Sequence, residues 1–306
     1  MSISTVNALP DIVSVQKRVY PLILTAVVSE QPTSQPLATA FGLTRTADTD
    51  DGSGWSSFNF RFDRWYTQVE STKLKSEIST ELLQDMRAMG LDESVIEENL
   101  ADEIADEVNK KILRSLDLIS DSGTGITISA ALDKFNQGRN LYTEVHARVA
   151  QLERDTGCTG TYVVAGGEAF DLLSGSSLAK KEEGTNHWRM KSGLILVHDK
   201  YSAINYINVG VKKVYNDFEI SSLVFSTYDY MGATSAGVQA PLAYNVIGQD
   251  PNSLHPIYGV IARYAITAAP IDAPAGGQGV QEIDWTAFDA TKFQSKLSVK
   301  STVTIA

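Results

Sequence analysis

Hydrophobic residues recur at every fourth position over a long stretch of the middle of the chain. This spacing is typical of the buried face of an amphipathic helix. Asp92 and Glu93 precede the stretch and Lys110, Lys111 and Arg114 lie near its end, an order that suits the helix dipole. We therefore predict one helix over Asp92–Ser120, about 40 Å long at 1.5 Å per residue. Its apolar stripe consists of Ile96, Leu100, Ile104, Val108, Ile112 and Leu116.

Apolar and polar residues alternate in Phe58–Val69, which begins FNFRFDRW. The β-compatible segment Ala38–Thr46 precedes it, and the polar, Gly- and Asp-rich segment Ala47–Ser57 lies between the two. Alternation with period two on both sides of a polar tip predicts a long β-hairpin. A hairpin of this length with a polar tip is expected to extend away from the body of the protein.

The remaining pattern mixes short helices and strands. We predict a helix over Leu9–Val19 followed by an extended arm, a helix over Ser79–Met89 with Ser79 as N-cap, and a helix over Leu141–Asp155. Residues 157–250 alternate between strands and short helices, which indicates an α+β fold. After the Pro- and Gly-rich stretch Ala268–Val280, the alternating segment KLSVKSTVTI has no neighbouring partner, so it must pair far away or with another chain.

Composition sets limits on function. The 306 residues are 43% hydrophobic and carry a net charge of −11, values that fit a large globular core and disfavour a grip on the DNA backbone. The one cysteine, Cys158, excludes an intrachain disulfide. No signal peptide or apolar stretch of membrane-spanning length is apparent near the start, so we expect synthesis and action in the cytoplasm without a membrane partner.

Motifs for chemistry are weak throughout. The Ser177–Lys180 spacing lacks the partner motifs of an acyl-transfer site, and Ala165–Glu168 lacks the spacing of a dinucleotide loop. Acidic residues of the predicted long helix are most simply a solvated face. We predict no catalytic, metal or cofactor-binding residue and no enzymatic activity. The four histidines, none at metal-ligand spacing, are His146, His187, His198 and His255.

Four separate motifs follow one another along the chain: QPTSQPLATAFGLTRT, STKLKSEISTELLQDMRAMGLD, EENLADEIADEVNKKIL and GQDPNSLHPIYGVIARYAIT. In these motifs and in their order, from about residue 9 to 270, the chain resembles the major capsid protein of T-even-type myoviruses, which are tailed bacteriophages. The resemblance implies the Hong Kong 97-type capsid fold. Two features depart from the family: the hairpin tip is short, and the matching region starts almost at Met1, where a propeptide is expected.

The resemblance also implies a division of the chain. It comprises an N-terminal arm at 1–37, an extended loop at 38–70, a peripheral domain at 71–156 and 251–270 with its spine helix at 92–120, an axial domain at 157–250, and a C-terminal linker and tail at 271–306.

The implied function is structural. The protein is expected to assemble with itself into the hexamers and pentamers of an icosahedral phage head that encloses double-stranded DNA without specific binding. Portal, scaffold and decoration proteins are further expected partners. An encapsulin-type compartment shell is the first alternative, and an acidic α+β enzyme with an unrecognised site is the second.

In the implied fold, the extended loop lies over a neighbouring subunit. We therefore expect its arginines to meet carboxylates of the neighbour's spine helix, while its aromatic residues supply the buried anchor. The hairpin and the terminal strand are both expected to connect subunits. The candidate contact residues are Arg45, Phe58, Phe60, Arg61, Phe62, Arg64 and Trp65.

Overall fold

A computed structural model describes residues 24–47, 58–90, 94–182, 188–215, 218–229, 243–249, 255–271 and 273–306. The predicted helix at Leu9–Val19, the arm that precedes residue 24 and tip residues 48–57 lie outside these ranges. The alternation of strands and helices predicted for the body of the chain is confirmed as an α+β fold.

The helices agree with the amphipathic patterns, with changed limits. The Ser79 hydroxyl accepts a hydrogen bond from the Leu82 amide at 3.2 Å and caps its helix as predicted. The fourth helix begins at Lys134, seven positions before the predicted Leu141. Gly138 lies inside this helix, where it packs closely on the Leu172 backbone. Only glycine fits there, because an added Cβ would come within 2.2 Å of the Leu172 carbonyl oxygen. The helices are α1 (Leu24–Val27), α2 (Thr80–Ala88), α3 (Ser94–Ile119), α4 (Lys134–Thr156), α5 (Glu168–Gly175) and α6 (Ala290–Phe293).

A five-stranded sheet packs against the long helix α3. Its central strand, Pro256–Ala268, is paired along one edge with Glu70–Glu77 and along the other with Ala243–Gln249 and Leu223–Thr227. Apolar residues of α3 share one hydrophobic core with this central strand. Ser29–Glu30 joins the edge in parallel. In chain order these strands are β1 (Ser29–Glu30), β4 (Glu70–Glu77), β14 (Leu223–Thr227), β15 (Ala243–Gln249) and β16 (Pro256–Ala268).

An eight-stranded sheet forms the second part of the molecule, with α4 and α5 packed on one core beside it. A segment from near the end of the chain, Ser295–Ile305, lies inside this sheet. It pairs antiparallel with Tyr206–Gly210 and parallel with Ser120–Ser122 and Ile126–Ile128. The strands are β5 (Ser120–Ser122), β6 (Ile126–Ile128), β7 (Tyr162–Gly166), β8 (Ala179–Lys181), β9 (Trp188–Met190), β10 (Ile195–Asp199), β11 (Tyr206–Gly210) and β18 (Ser295–Ile305).

The predicted hairpin is confirmed. Strands β2 (Leu37–Ala47) and β3 (Phe58–Gln68) are antiparallel along their whole length, from the Leu37–Gln68 pair to the Ala47–Phe58 pair. The short strand β17 (Val280–Glu282) adds to the other edge of β3. A separate two-stranded ribbon consists of β12 (Lys212–Tyr215) and β13 (Phe218–Ser221).

The structure changes the predicted division of the chain at three places. Strands β14 and β15, predicted in the axial domain, pair with β16 of the five-stranded sheet. Helix α4, predicted in the peripheral domain, packs on the eight-stranded sheet. The terminal strand β18 pairs within its own chain, so its predicted role as a connector between subunits is wrong. Sequence pattern reveals local periodicity but not which distant strand is the partner, and all three differences involve distant partners.

Ion pairs tie α3 to the eight-stranded sheet at two points. Lys200 pairs with the Asp106 carboxylate, and the Tyr201 hydroxyl donates to the same carboxylate at 2.6 Å. Lys300 of β18 pairs with Asp117 further along the helix. The helix is therefore held between the two sheets along much of its length.

Candidate functional site

The inner face of the hairpin is built around Trp65. Its ring is fully buried, and its Nε1 donates a hydrogen bond to the Gly277 carbonyl oxygen at 3.0 Å. Ala40 is paired opposite, and Gly42 lies under the ring, where an added Cβ would come within 2.5 Å of a ring carbon. Small residues at alternate positions of β2 therefore make room for one large side chain of β3.

A buried carboxylate on the same face of β3 as Trp65 links the hairpin to the segment before β17. Asp63 is fully buried, and both of its carboxylate oxygens accept from the single Arg61 Nε–H, at Nε–O distances of 3.1 and 2.9 Å. Its Oδ1 also accepts from the Gly279 amide at 2.8 Å, next to β17. A buried charge is tolerated only when it is paired and hydrogen-bonded, and both conditions are met here. Arg61 is thus engaged within its own subunit.

The opposite face of the hairpin presents large apolar side chains to solvent. Phe41 and Phe62 stack with ring centroids 5.4 Å apart, and the Arg64 guanidinium lies 6.0 Å from the Phe41 centroid. Contiguous exposed apolar side chains of this kind are typical of interaction surfaces. We call this set the outer hairpin face: Phe41 (53% exposed), Leu43 (63%), Phe60 (67%), Phe62 (62%), Val280 (67%) and the exposed Arg64.

The predicted contact residues therefore divide into three groups. Phe60, Phe62 and Arg64 lie together on the outer hairpin face. Trp65 is buried within its own subunit, so the expectation that it reaches a neighbour is wrong. The side chains of Arg45 and Phe58 lie outside the described part.

Sequence reasoning missed three residues of this face. Phe41 and Leu43 alternate with Ala40 and Gly42 along β2, and this pattern of large and small residues is the signal that was available. Val280 had no such signal, because its strand joins the hairpin from more than 200 positions further along the chain.

Helix α3 carries both charged residues that contact the foot of the hairpin and charged residues that face solvent. Lys111 Nζ lies 3.1 Å from Glu70 Oε2 at the foot of the hairpin. Burial alone would lower the pKa of Lys111, but the nearby Tyr264 hydroxyl and Glu70 carboxylate outweigh it and raise that pKa. Glu98 is exposed in the first half of the helix.

Three of the four histidines contact neighbouring groups, and His187 lies outside the described residues. His198 stacks on Phe170 with centroids 4.1 Å apart, and burial lowers its pKa. His146 packs edge-on against Tyr142, and His255 lies 3.3 Å from the Thr80 amide. Over the described ranges, no cluster of His, Cys, Asp and Glu has the geometry to hold a metal ion. The helices described here include none that is long and apolar enough to cross a bilayer.

Comparison with known sequences gives a consistent result. A family model described as "Major capsid protein Gp23" matches residues 44–303. The "Capsid vertex protein" of Vibrio phage KVP40 is 50% identical over the whole of both chains. The "Capsid vertex protein" of Enterobacteria phage T4 is 32% identical over 78% of this chain and 60% of its own length. The "Major capsid protein" of Vibrio phage KVP40 is 23% identical over 72% of this chain and 47% of its own length.

Solved structures with the same fold include phage capsids. The capsid of Cyanophage P-SCSP1u superposes with a TM-score of 0.55, covering 94% of this chain and 89% of the other at 9% identity. The capsid of Helicobacter pylori bacteriophage KHP30 gives 0.53, covering 90% and 86% at 8% identity. At such low identity these matches show the fold, which is of the Hong Kong 97 type.

Proposed function

The chain belongs to the Gp23 major capsid protein family, and on that premise we propose that it is the subunit that occupies the vertices of a phage head. It is a structural protein of a capsid shell with the Hong Kong 97-type fold. An icosahedral shell has its five-fold positions at the vertices, so a vertex subunit assembles as a ring of five copies.

One observation carries the vertex assignment. The match to a relative named for the vertex is 50% identical and spans both chains from end to end, whereas a match to a relative named for the major shell protein is 23% identical and partial. The encapsulin-type alternative has no comparable support from the family match. The second alternative, an acidic enzyme, has no support from the family match, which is to a family described as a capsid protein.

We propose that the outer hairpin face is the contact to a neighbouring subunit. Its exposed phenylalanines supply the apolar area that interfaces bury at their centre, and Arg64 supplies a charge at the edge. The proposal now excludes Trp65 and Arg61, which already have partners inside the subunit. Repetition of the contact around a closed ring multiplies a small free energy per subunit.

The wider setting of the shell follows from this function. An acidic subunit with a net charge of −11 encloses double-stranded DNA rather than gripping its backbone, because grip requires Lys and Arg to displace counterions. Assembly takes place in the host cytoplasm, with portal, scaffold and decoration proteins as partners. The function of the subunit then lies in its contacts with neighbouring subunits and in the curvature of the shell that they form, rather than in catalysis.

Native mass spectrometry and negative-stain microscopy of the purified protein test the vertex assignment. We expect rings of five copies. Rings of six, or tubes built from this chain alone, would place it on the faces of the shell and contradict the assignment. A monomer at every salt concentration and pH tried would contradict the shell role itself.

A further inference from the structure

A segment from near the end of the chain holds the hairpin along one edge. Strand β17 pairs in parallel with the foot of β3. The Arg64 amide donates a hydrogen bond to the Gly279 carbonyl oxygen at 2.8 Å, and the Ile283 amide donates to the Tyr66 carbonyl oxygen at 2.8 Å. We call residues 279–283 the brace, because they lie along the outer edge of β3 at the base of the hairpin.

The brace is fixed beyond the hairpin to other parts of the subunit. Two positions after Ile283, the Trp285 Nε1 donates a hydrogen bond to the Ile266 carbonyl oxygen of β16 at 2.5 Å. Further along, the Gln294 Nε2 donates to the Ser120 carbonyl oxygen, directly after α3, at 3.2 Å. The brace therefore ties β3 to the five-stranded sheet and to α3 through a remote piece of chain.

The hairpin joins the rest of the subunit at a narrow foot. The last hydrogen bond of its ladder runs from the Val69 amide to the Pro36 carbonyl oxygen at 2.9 Å. Val69 alone separates β3 from β4 of the five-stranded sheet. Hinges commonly consist of a few such residues at the ends of elements. A turn at this foot leaves the pairing of β2 with β3 intact.

A cavity of about 380 Å³ lies beside this foot. Its lining includes Thr67 of β3, Arg114 of α3 and Trp285. The Thr67 hydroxyl is buried and makes no hydrogen bond within the described part of the chain. Protein interiors are close-packed, so a space of this size leaves the foot room to move. The foot is thus restrained at the edge of β3 and loosely packed towards α3.

We propose that the brace is a releasable stop that sets the direction of the hairpin. With the brace in place, the hairpin points in one direction. When the brace leaves β3, the hairpin turns at its foot towards the cavity. The brace opens as one unit, because β17 is only 3 residues long and short edge strands open at a lower free energy than the core. This device belongs to the single subunit and does not depend on the vertex assignment.

Hydrogen exchange of the native subunit, followed residue by residue by NMR, tests the release. The amides of Gly279 and Ile283 should exchange together through a local opening, before the amides of the β2–β3 ladder and of β16. Gly279→Ala should speed this exchange by roughly tenfold, because a Cβ is disfavoured at a φ of +81°. Brace amides that exchange only with global unfolding would overturn the proposal.

The matched control is Gly90→Ala. Gly90 has a φ of +77°, and an added Cβ meets nothing within 4 Å there, as at Gly279. This variant carries the same backbone strain at the end of α2, so it should leave the exchange of the brace unchanged. Equal acceleration in the two variants would contradict a local role of the brace.

Pulsed electron paramagnetic resonance between two spin labels measures the direction of the hairpin. In a Cys158→Ser background, Leu43→Cys on β2 and Thr127→Cys on β6 carry the labels, since both positions are exposed. Unassembled subunits should give one narrow distance distribution. Gln281→Pro removes an amide hydrogen from the middle of β17 and should broaden it, whereas the control Gln281→Ala should not. A folded proline variant that keeps the narrow distribution would show that the brace does not set the direction.

Filling the cavity tests the direction of the turn. Thr286→Phe, in the lining of the cavity, should narrow the distribution of the Gln281→Pro variant, because the space for the foot is then occupied. The matched control is Thr291→Phe, which lies outside that lining. Both threonine hydroxyls donate to an aspartate two positions earlier at 2.6 Å, so the two changes remove the same local contact. Equal widths in the two variants would rule out a turn towards the cavity.

Discussion

The indole Nε1 of Trp65 donates a hydrogen bond to the carbonyl oxygen of Gly277 across 212 positions of chain. This bond anchors the foot of the extended hairpin to the C-terminal segment. The hairpin therefore projects from a rigid base, and its outer face is presented at a defined angle to whatever lies beside it.

The space under Trp65 predicts the effect of a single methyl group. Gly42→Ala should destabilise the subunit by about 1–3 kcal/mol, because the added Cβ falls within 2.5 Å of the ring and forces the tryptophan to move. Urea denaturation followed by tryptophan fluorescence measures the change. Gly248→Ala, where an added Cβ meets nothing within 4 Å, is the matched control. Equal stability of the two variants would contradict the packing described here.

The outer hairpin face should be needed for assembly and not for folding. Phe60→Ser combined with Phe62→Ser removes two exposed rings, so the subunit should remain folded by circular dichroism but fail to form rings in sedimentation. The control is Phe135→Ser, which removes an exposed phenylalanine from α4 and should assemble normally. A double variant that assembles as the parent does, or that unfolds outright, would show that this face is not the connector.

The carboxylate of Asp106 should contribute to stability more than other acids of α3. Asp106→Ala removes the carboxylate that pairs with the Lys200 ammonium and accepts a hydrogen bond from the Tyr201 hydroxyl at 2.6 Å, so we expect a loss of about 1–3 kcal/mol in the free energy of unfolding. Glu98→Ala, at an exposed position of the same helix, should change it by less than about 0.5 kcal/mol. Thermal denaturation of the two variants under the same conditions measures this difference in stability, and equal losses would contradict the prediction.

Acid should weaken the subunit through His198. The His198 side chain is exposed overall, but the part of its ring that stacks on Phe170 is partly desolvated, which lowers its pKa, so the folded state favours the neutral ring. Its contribution to stability is therefore complete above the unfolded pKa of about 6.5 and is lost as the pH falls through the lower folded pKa. His198→Asn should therefore reduce the decline in melting temperature as the pH falls from neutral to below the folded pKa of His198. An unchanged slope would argue against this origin.

Local periodicity was enough to predict the hairpin, the long helix and most strands. The alternation of Phe58–Val69 separates two faces, yet it does not say which face is buried. Trp65 lies on the opposite face from Phe60 and Phe62, and the small residues Ala40 and Gly42 across from it were the only local sign of this. The reading from sequence grouped all these aromatics together for that reason.

The C-terminal segment could not be placed from sequence, because its partners are remote. Val280 extends the hairpin sheet at Arg64, and Val299 pairs with Val209 in the eight-stranded sheet. Neither β17 nor β18 is joined to its partner by a hairpin turn, so the neighbouring sequence does not indicate which strand it pairs with. The cavity lined by Arg114 and Trp285 was hidden in the same way, since these two residues come together only in the folded chain.

The position of β18 has a consequence for synthesis. This strand lies between β11 on one edge and β5 and β6 on the other, so the eight-stranded sheet stays open until residues 295–305 have left the ribosome. Folding that depends on such remote pairings is slow and is completed late. A nascent chain therefore cannot present finished surfaces to its neighbours on the same messenger RNA. We therefore expect subunits to join a shell only after their synthesis is complete.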